Sequence, residues 1–226
     1  MIAEPAAFMA AMVAIRIFIS ADYLVTNADF IPWFILGLLG FFLVRDGMMR
    51  GLNAIESNKP LFSYRQVKPI DPVIARCFVD GMLQTIVLII FIFAGLMLGL
   101  KMSPDNALVA LFIWFSLWCL GLGLGLISSV LGTLIPEIAS VIRVLSLPLL
   151  IISGVILPLH MFPPWILEYL MLNPIPHGLE IFRLAFFERY HTIPGTSILY
   201  FWFVTLSVIA LGLLMHIRYA DKLKAK

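Results

Sequence analysis

Two stretches of this chain, Gly81–Leu100 and Ala107–Pro136, carry no charged side chain over lengths that match a lipid bilayer. A bilayer's hydrocarbon core is about 30 Å thick, and an α-helix crosses it in roughly 20 residues. Such segments restrict the chain to a narrow set of folds. The composition agrees: 62% of residues are hydrophobic and 12% charged, with a mean hydropathy of +1.05. A soluble domain of this size needs far more polar surface, so an ordinary globular core is excluded. The expectation is an all-α membrane protein.

Six spans are expected, at about 5–21, 30–49, 78–100, 107–133, 140–159 and 197–218, within a single membrane domain covering 1–226. The first is marginal. Its Phe8, Val13, Ile15, Ile17, Phe18 and Ile19 contribute on the order of −2 to −4 kcal/mol, and Arg16 nearly cancels that with about 2.5 to 3.5. Gly81–Leu100, free of charge, sums to roughly −4 to −7 kcal/mol. No basic leader precedes an apolar core and cleavage site near Met1, so a cleaved signal peptide is not expected.

The net charge of +2 says little about partners, but the placement of the charges is informative. Arg45, Arg50, Lys59, Arg65, Lys68 and Arg76 follow the second span, and Arg218, Lys222, Lys224 and Lys226 end the chain. Lys and Arg in short loops mark the cytoplasmic side, so both termini and the 45–76 region are expected inside. The stretch His160–Thr192 then falls outside. With Trp165, Tyr169, Pro174, Pro176 and an amphipathic run, it reads as two short helices over 163–190, re-entrant or lying at the interface.

Chemical motifs are sparse. No GxxxxGK[ST] phosphate loop occurs. GxxxG spacings at Gly47/Gly51, Gly95/Gly99 and Gly121/Gly125, with Gly123 between the last two, point to close helix packing or a dimer seam. The run RDGMMRG (Arg45–Gly51) invites comparison with membrane phosphatidyltransferases, but the further aspartates that would hold a metal are missing. Ser153–Gly154 lacks the glycine of a rhomboid-type nucleophile. His160, His177, His191 and His216 have no ligand spacing, and Cys77 and Cys119 make no disulfide framework. No metal site is expected, and an enzyme is disfavoured. Glu4 and Arg16 remain as intramembrane charges that line a polar route or fix helix packing.

The sharpest signal is the basic, proline-cut segment Asn58–Arg76. Pro60, Pro69 and Pro72 break it into short elements. Asp71 before Pro72 reads as an N-cap, starting a helix that runs through Ile74, Arg76 and Phe78 into the next span. Either the segment is a solvated loop, or it is a coupling element that fits a groove on a soluble subunit.

At these residues the sequence resembles the permease subunits of ABC-2 type exporters for capsular polysaccharide. The coupling pattern lies at Asn58, Leu61, Phe62, Tyr64, Val67, Pro69, Ile70, Asp71, Ile74, Ala75 and Arg76, with Arg65 and Lys68 between. Pro136–Glu137 follows the fourth span. An NPxxHxxExxR run at Asn173, Pro174, His177, Glu180 and Arg183 resembles the family's outer gate helices. Glu4–Pro5 resembles a pair in the family's first span, where an interfacial helix precedes it, so a late start or a truncation at Met1 is expected.

The resemblance implies a transport subunit and no enzyme. A separate ABC ATPase would carry ATP and magnesium, with no cofactor in this chain. Two permease copies would form the path, and a periplasmic or inner-membrane polysaccharide export protein would assist. The substrate would be a lipid-linked capsular polysaccharide, the location the inner membrane of a Gram-negative bacterium, and nucleic acid no partner. Glu4, Arg16 and Trp33 are candidates for the path, as are Trp114 and Trp118. The alternatives are a permease for O-antigen, teichoic acid or another lipid-linked glycan, a membrane-bound lipid or glycan biosynthetic enzyme, and a membrane scaffold.

Overall fold

The computed structural model describes residues 29–64 and 66–225. The first expected span (5–21), Glu4, Arg16 and Arg65 lie outside these residues. Among the described residues the order is α1 (Phe30–Leu52), a 3-10 helix (Glu56–Ser63), α2 (Asp71–Met97), α3 (Ala107–Leu134), α4 (Pro136–Ile152), a short 3-10 turn (Leu159–Met161), α5 (Pro164–Leu170), α6 (Pro174–Leu184), α7 (Ile198–Arg218) and α8 (Ala220–Ala225). No strand occurs among them.

Four of these helices, α1, α2, α3 and α7, are long and apolar enough to cross a membrane. In the region of the expected fifth span, 140–159, the helix covers Pro136–Ile152, 17 residues, starting earlier and ending earlier than expected. At 1.5 Å per residue it measures about 26 Å, at the short end of the range for a membrane-crossing helix. Pro148 sits within it, and Gly154 just beyond adopts φ +66°, a left-handed conformation that ends the helical path. The helix opening at Asp71 also differs in detail from expectation. Ile70, not Asp71, accepts the first helical bond, from Ile74 N–H (3.0 Å). The Asp71 carboxylate turns back to accept from Lys68 N–H (2.7 Å), closing the loop that Pro69 bends.

The chain forms two compact units. One gathers the described residues up to Phe41, Gln84–Trp114 and Leu150–Ile198. Its interior holds Trp33, Leu36, Met102, Ile113, Leu179 and Phe182, each almost wholly buried. The other gathers Phe42–Leu83, Phe115–Leu149 and the described residues from Leu199 onward. Its core packs Ala54, Ile55, Val73, Cys77, Leu126, Val130 and Leu223 together, with Phe62 and Ile70 against them. Of the spanning helices, α1 is the most enclosed, with 83% of its most apolar window buried against 17% for α7. A helix apolar on every side belongs at the centre when protein surrounds it, and facing lipid when it does not.

The glycine pattern of the second unit is a contact between α1 and α3. A Cβ on Gly51 would lie 2.5 Å from Gly125 Cα, and one on Gly47 would lie 3.0 Å from the Gly121 carbonyl carbon. Gly123, on the other side of α3, faces Ile209 of α7. The backbones approach closely enough for polar stitching. Ser128 Oγ donates to Met48 C=O (3.0 Å), and Cys77 Sγ donates to Gly47 C=O (3.4 Å). Gly99 differs: it turns the chain at φ +75° with nothing near its absent side chain.

In a free helix, Gly→Ala stabilises by about 1 kcal/mol. Here Gly51→Ala is expected to destabilise, because overpacking typically costs about 1–3 kcal/mol and both partners are backbone. Thermal unfolding in detergent micelles should show a lower midpoint for Gly51→Ala than for Gly47→Ala, both below wild type. An unchanged or raised midpoint for Gly51→Ala would refute the contact.

Candidate functional site

The first unit contains a polar cluster with almost no access to water, built around α6. Asn173 caps that helix: its Oδ1 accepts from Ile175 N–H (3.1 Å), with Pro174 next in line. Its Nδ2 donates to Ser153 Oγ (3.1 Å), so Ser153 is a structural anchor. His177 is held at both ring nitrogens. Ser197 N–H donates to Nδ1 (3.0 Å), which leaves the proton on Nε2 to donate to Met171 C=O (2.8 Å).

Glu180 and Arg183 follow one turn apart, 2% and 1% exposed, and pair at 3.0 Å. The Arg183 guanidinium does more than neutralise its neighbour. Nη1 and Nη2 both donate to Gly154 C=O (3.1 and 3.2 Å), and Nε donates to Trp33 C=O (3.3 Å). The group lies 3.6 Å from the centroid of the Trp33 ring, a cation–π contact. Tyr190 completes the circuit. Its hydroxyl accepts from Trp33 Nε1 (3.1 Å) and donates to the Glu180 carboxylate (2.9 Å to Oε2). A Cβ on Gly37 would collide with the guanidinium, so this glycine in α1 makes the room for Arg183.

Sequence reasoning grouped Asn173, Pro174, His177, Glu180 and Arg183, and the structure brings them together on α6 and its cap. Trp33 was placed on a translocation path. It is fully buried between Arg183 and Tyr190, walled by protein. Trp114 is likewise buried and donates to Thr85 Oγ1 (2.9 Å). Sequence reasoning missed Tyr190, Gly37 and Gly154. Of these, only Gly154, next to a serine at the end of an apolar run, carried a local signal. The two short helices also differ from each other. α6 is mostly buried, whereas α5 buries none of its residues and exposes Trp165 and Tyr169.

A separate polar cleft of about 710 Å³ is lined by Asp29, Lys101, Ser103, Asp105, Glu188 and Arg189 above Phe186 and Phe187. Its wall is tied by Glu188 N–H donating to Asp105 (2.6 Å) and Asn106 N–H donating to Ala185 C=O (3.0 Å).

The second unit holds the proline-cut segment. Glu56–Ser63 winds as a 3-10 helix across Pro60, with none of its residues buried. Residues three apart eclipse in such a helix. Leu61 and the following Tyr64 therefore share one side, and both are exposed, at 44% and 66%. Phe62 points the other way and packs on the core beneath. Asn58 Nδ2 donates back to Ala54 C=O (2.6 Å), and Lys68 and Asp71 are exposed where the loop closes. Arg76 is half-buried in the first turns of α2. Arg143 of α4 donates to Asn53 (2.9 Å). Beside it, a groove of about 350 Å³ is lined by Glu56, Lys59, Gly132, Thr133, Pro136, Ala139, Ser140 and Arg143. The RDGMMRG run lies within α1: its glycines make the α3 contact, and Arg50 pairs with the buried Asp80 (3.3 Å). The other tryptophan of interest, Trp118, donates to Cys77 C=O (3.0 Å).

Known proteins match this chain in sequence over most of its length. The ABC-2 type transporter family matches residues 7–187. This chain belongs to that family. Among its relatives, the polysialic acid transport protein KpsM of Escherichia coli is 36% identical over 186 residues, 82% of this chain and 72% of that protein. The capsule polysaccharide export inner-membrane protein CtrC of Neisseria meningitidis serogroup B is 25% identical, covering 81% of this chain and 69% of CtrC. BexB of Haemophilus influenzae, named likewise, is 26% identical, covering 88% and 74%. Membership in the family makes this a membrane subunit that works with an ABC ATPase.

The clasp yields energetic expectations. Glu180→Ala would leave the Arg183 charge buried and uncompensated, at about 3–5 kcal/mol. Tyr190→Phe would leave Trp33 Nε1 and Glu180 each a partner short, at about 1–3 kcal/mol. Burial, reinforced by Glu180 and opposed by Arg183, pushes the Tyr190 hydroxyl up from 10.0 to about 12. A raised value means that the fold favours the neutral phenol. Its contribution to stability is complete below pH 10 and is lost as the pH climbs towards 12. A tyrosinate absorbance titration should show one late-titrating group that Tyr190→Phe removes. If the late fraction persists in Tyr190→Phe, the assignment is wrong.

Proposed function

We propose that this chain is the permease subunit of an ATP-driven exporter that moves a lipid-linked capsular polysaccharide across the inner membrane of a Gram-negative cell. The observation that carries the reading is 36% identity over most of the chain to a protein named for polysialic acid transport. The matches to two capsule export proteins support it. Both compact units belong to one transport domain in this reading. Two copies enclose the path, and a periplasmic or inner-membrane export protein continues it. The chain takes no cofactor itself; ATP and magnesium bind the partner ATPase.

The Lys and Arg distribution orients the chain with the Glu56–Ser63 element and both termini in the cytoplasm. There the exposed Leu61 and Tyr64, with Lys68 and Asp71, present a ridge to the ATPase, and the groove beside Arg143 lies next to it. Nucleotide binding moves the ATPase, and the ridge moves with it because Phe62 and Ile70 anchor it to the core. Asn173, Pro174, His177, Glu180 and Arg183 hold the segment at the exit side.

Deleting this chain should trap polymer inside the cell, measured as intracellular against surface polysaccharide. An unchanged distribution would exclude the reading. At the ridge, Leu61→Asp combined with Tyr64→Asp should abolish co-purification of the ATPase while the permease still accumulates. Phe62→Ala should lower stability first, by less than the roughly 3–5 kcal/mol of a fully buried phenylalanine, since Phe62 is only partly buried. Full ATPase recovery with the double aspartate variant would remove the coupling role from this element.

A further inference from the structure

Charge balance does not explain the arrangement around Arg183. A buried ion pair can often be replaced by apolar side chains of similar volume with no loss of stability, since desolvation offsets the attraction. If neutralising Glu180 were the purpose, a lysine would do. The guanidinium instead spreads its three nitrogens over three separate acceptors. It sits over the Trp33 ring, 3.6 Å from its centroid, and brings two nitrogens to one carbonyl, that of Gly154, while Nε reaches Trp33 C=O. An ammonium group does not reproduce this set of contacts. The surroundings are shaped to this one group. Gly37 leaves the space it fills, and Gly154 adopts φ +66° to present the carbonyl. Together these contacts fix α6 against α1 in one register, and Tyr190 locks the pair from the far side through Trp33 and Glu180.

We infer that Arg183 is a positioning residue for export: its place over the Trp33 ring and its fork on Gly154 set the register of α6 that transport requires, and its charge alone does not. This rests on the exporter reading above. A segment beside a polymer's exit must return to one defined position in every cycle. A set of directional contacts gives that position more sharply than apolar packing, which tolerates sliding.

The test uses the full permease with its ATPase, in cells lacking the native copy, and the purified complex in lipid nanodiscs. Arg183→Lys keeps the charge and loses the plane. Arg183→Met with Glu180→Leu removes both charges and keeps the volume. Surface polymer is measured in cells, and ATP hydrolysis on the purified complex. The inference expects both variants to assemble and to hydrolyse ATP within about twofold of wild type, while export falls roughly tenfold, a common size of coupling between sites. Should Arg183→Lys fail to accumulate, the charge-free double variant decides alone. Export at the wild-type rate in either variant overturns the inference. So does a parallel fall of export and ATP hydrolysis, or failure of both variants to accumulate, since each makes the cluster a stability element only. A wild-type control that moves no polymer sinks the exporter reading itself, a result the variants cannot produce.

Discussion

A buried polar group loses the hydrogen bonds of water, and the motif on α6 is arranged around that fact. In hydrocarbon an unsatisfied polar group costs several kcal/mol. Each side chain of the motif on α6 therefore has named partners: Asn173 with Ile175 and Ser153, His177 with Ser197 and Met171, and Arg183 with three separate acceptors. The second unit uses weaker groups and meets the rule less fully, since Asp80 Oδ2 and His216 Nδ1 are buried without a hydrogen bond among the described residues. Ser128, Cys77 and Trp118 all donate to backbone carbonyls of neighbouring helices. Such bonds need backbones within reach, which ties the polar stitching to the glycines. Where Gly47 and Gly51 meet Gly121 and Gly125, no side chain holds the helices apart.

The features legible in the sequence were those written locally. Charge-free runs located α1, α2, α3 and α7, because bilayer thickness dictates length. The Asn173–Pro174 start of α6 follows from capping chemistry that spans three residues. Partner choice was not legible. Trp33 and Arg183 are 150 residues apart, and nothing near either names the other. Taken alone, a tryptophan at a span's entrance suits a path wall or an interface belt, and nothing local shows that Trp33 is buried under Arg183. The end of the helix at 136–152 was hidden for a related reason. Apolar composition continues from Val144 to Leu159, but hydropathy is blind to backbone direction, and the turn at Gly154 ends the helix first. The Gly154 carbonyl at this turn accepts from Arg183.

Asp71 shows the same limit at short range. Asp-Pro reads as a cap followed by a first helical residue, and the helix does start there. The side chain is drawn the other way because Lys68 N–H, exposed by the bend at Pro69, competes for it. The capping rule assumes that the helix offers the nearest free donor, and here the loop does.

The two units meet opposite demands with the same materials. A segment that positions something must be satisfied from all sides, and α6 is: 8 of its 11 residues are buried, and its charges face inward. A segment that receives something must be held from below and bare above. In a 3-10 helix the three-residue repeat separates those functions without any amphipathic length. Phe62 goes down to Ala54, Ile55 and Val73, while Leu61 and Tyr64, on one edge, stay outside. Pro60 prevents the segment from relaxing into a regular α-helix, in which the 3.6-residue repeat would rotate that edge away from a single line. The proline-cut composition that marks this stretch in the sequence goes with a short, kinked element whose Leu61 and Tyr64 are exposed while Phe62 packs on the core.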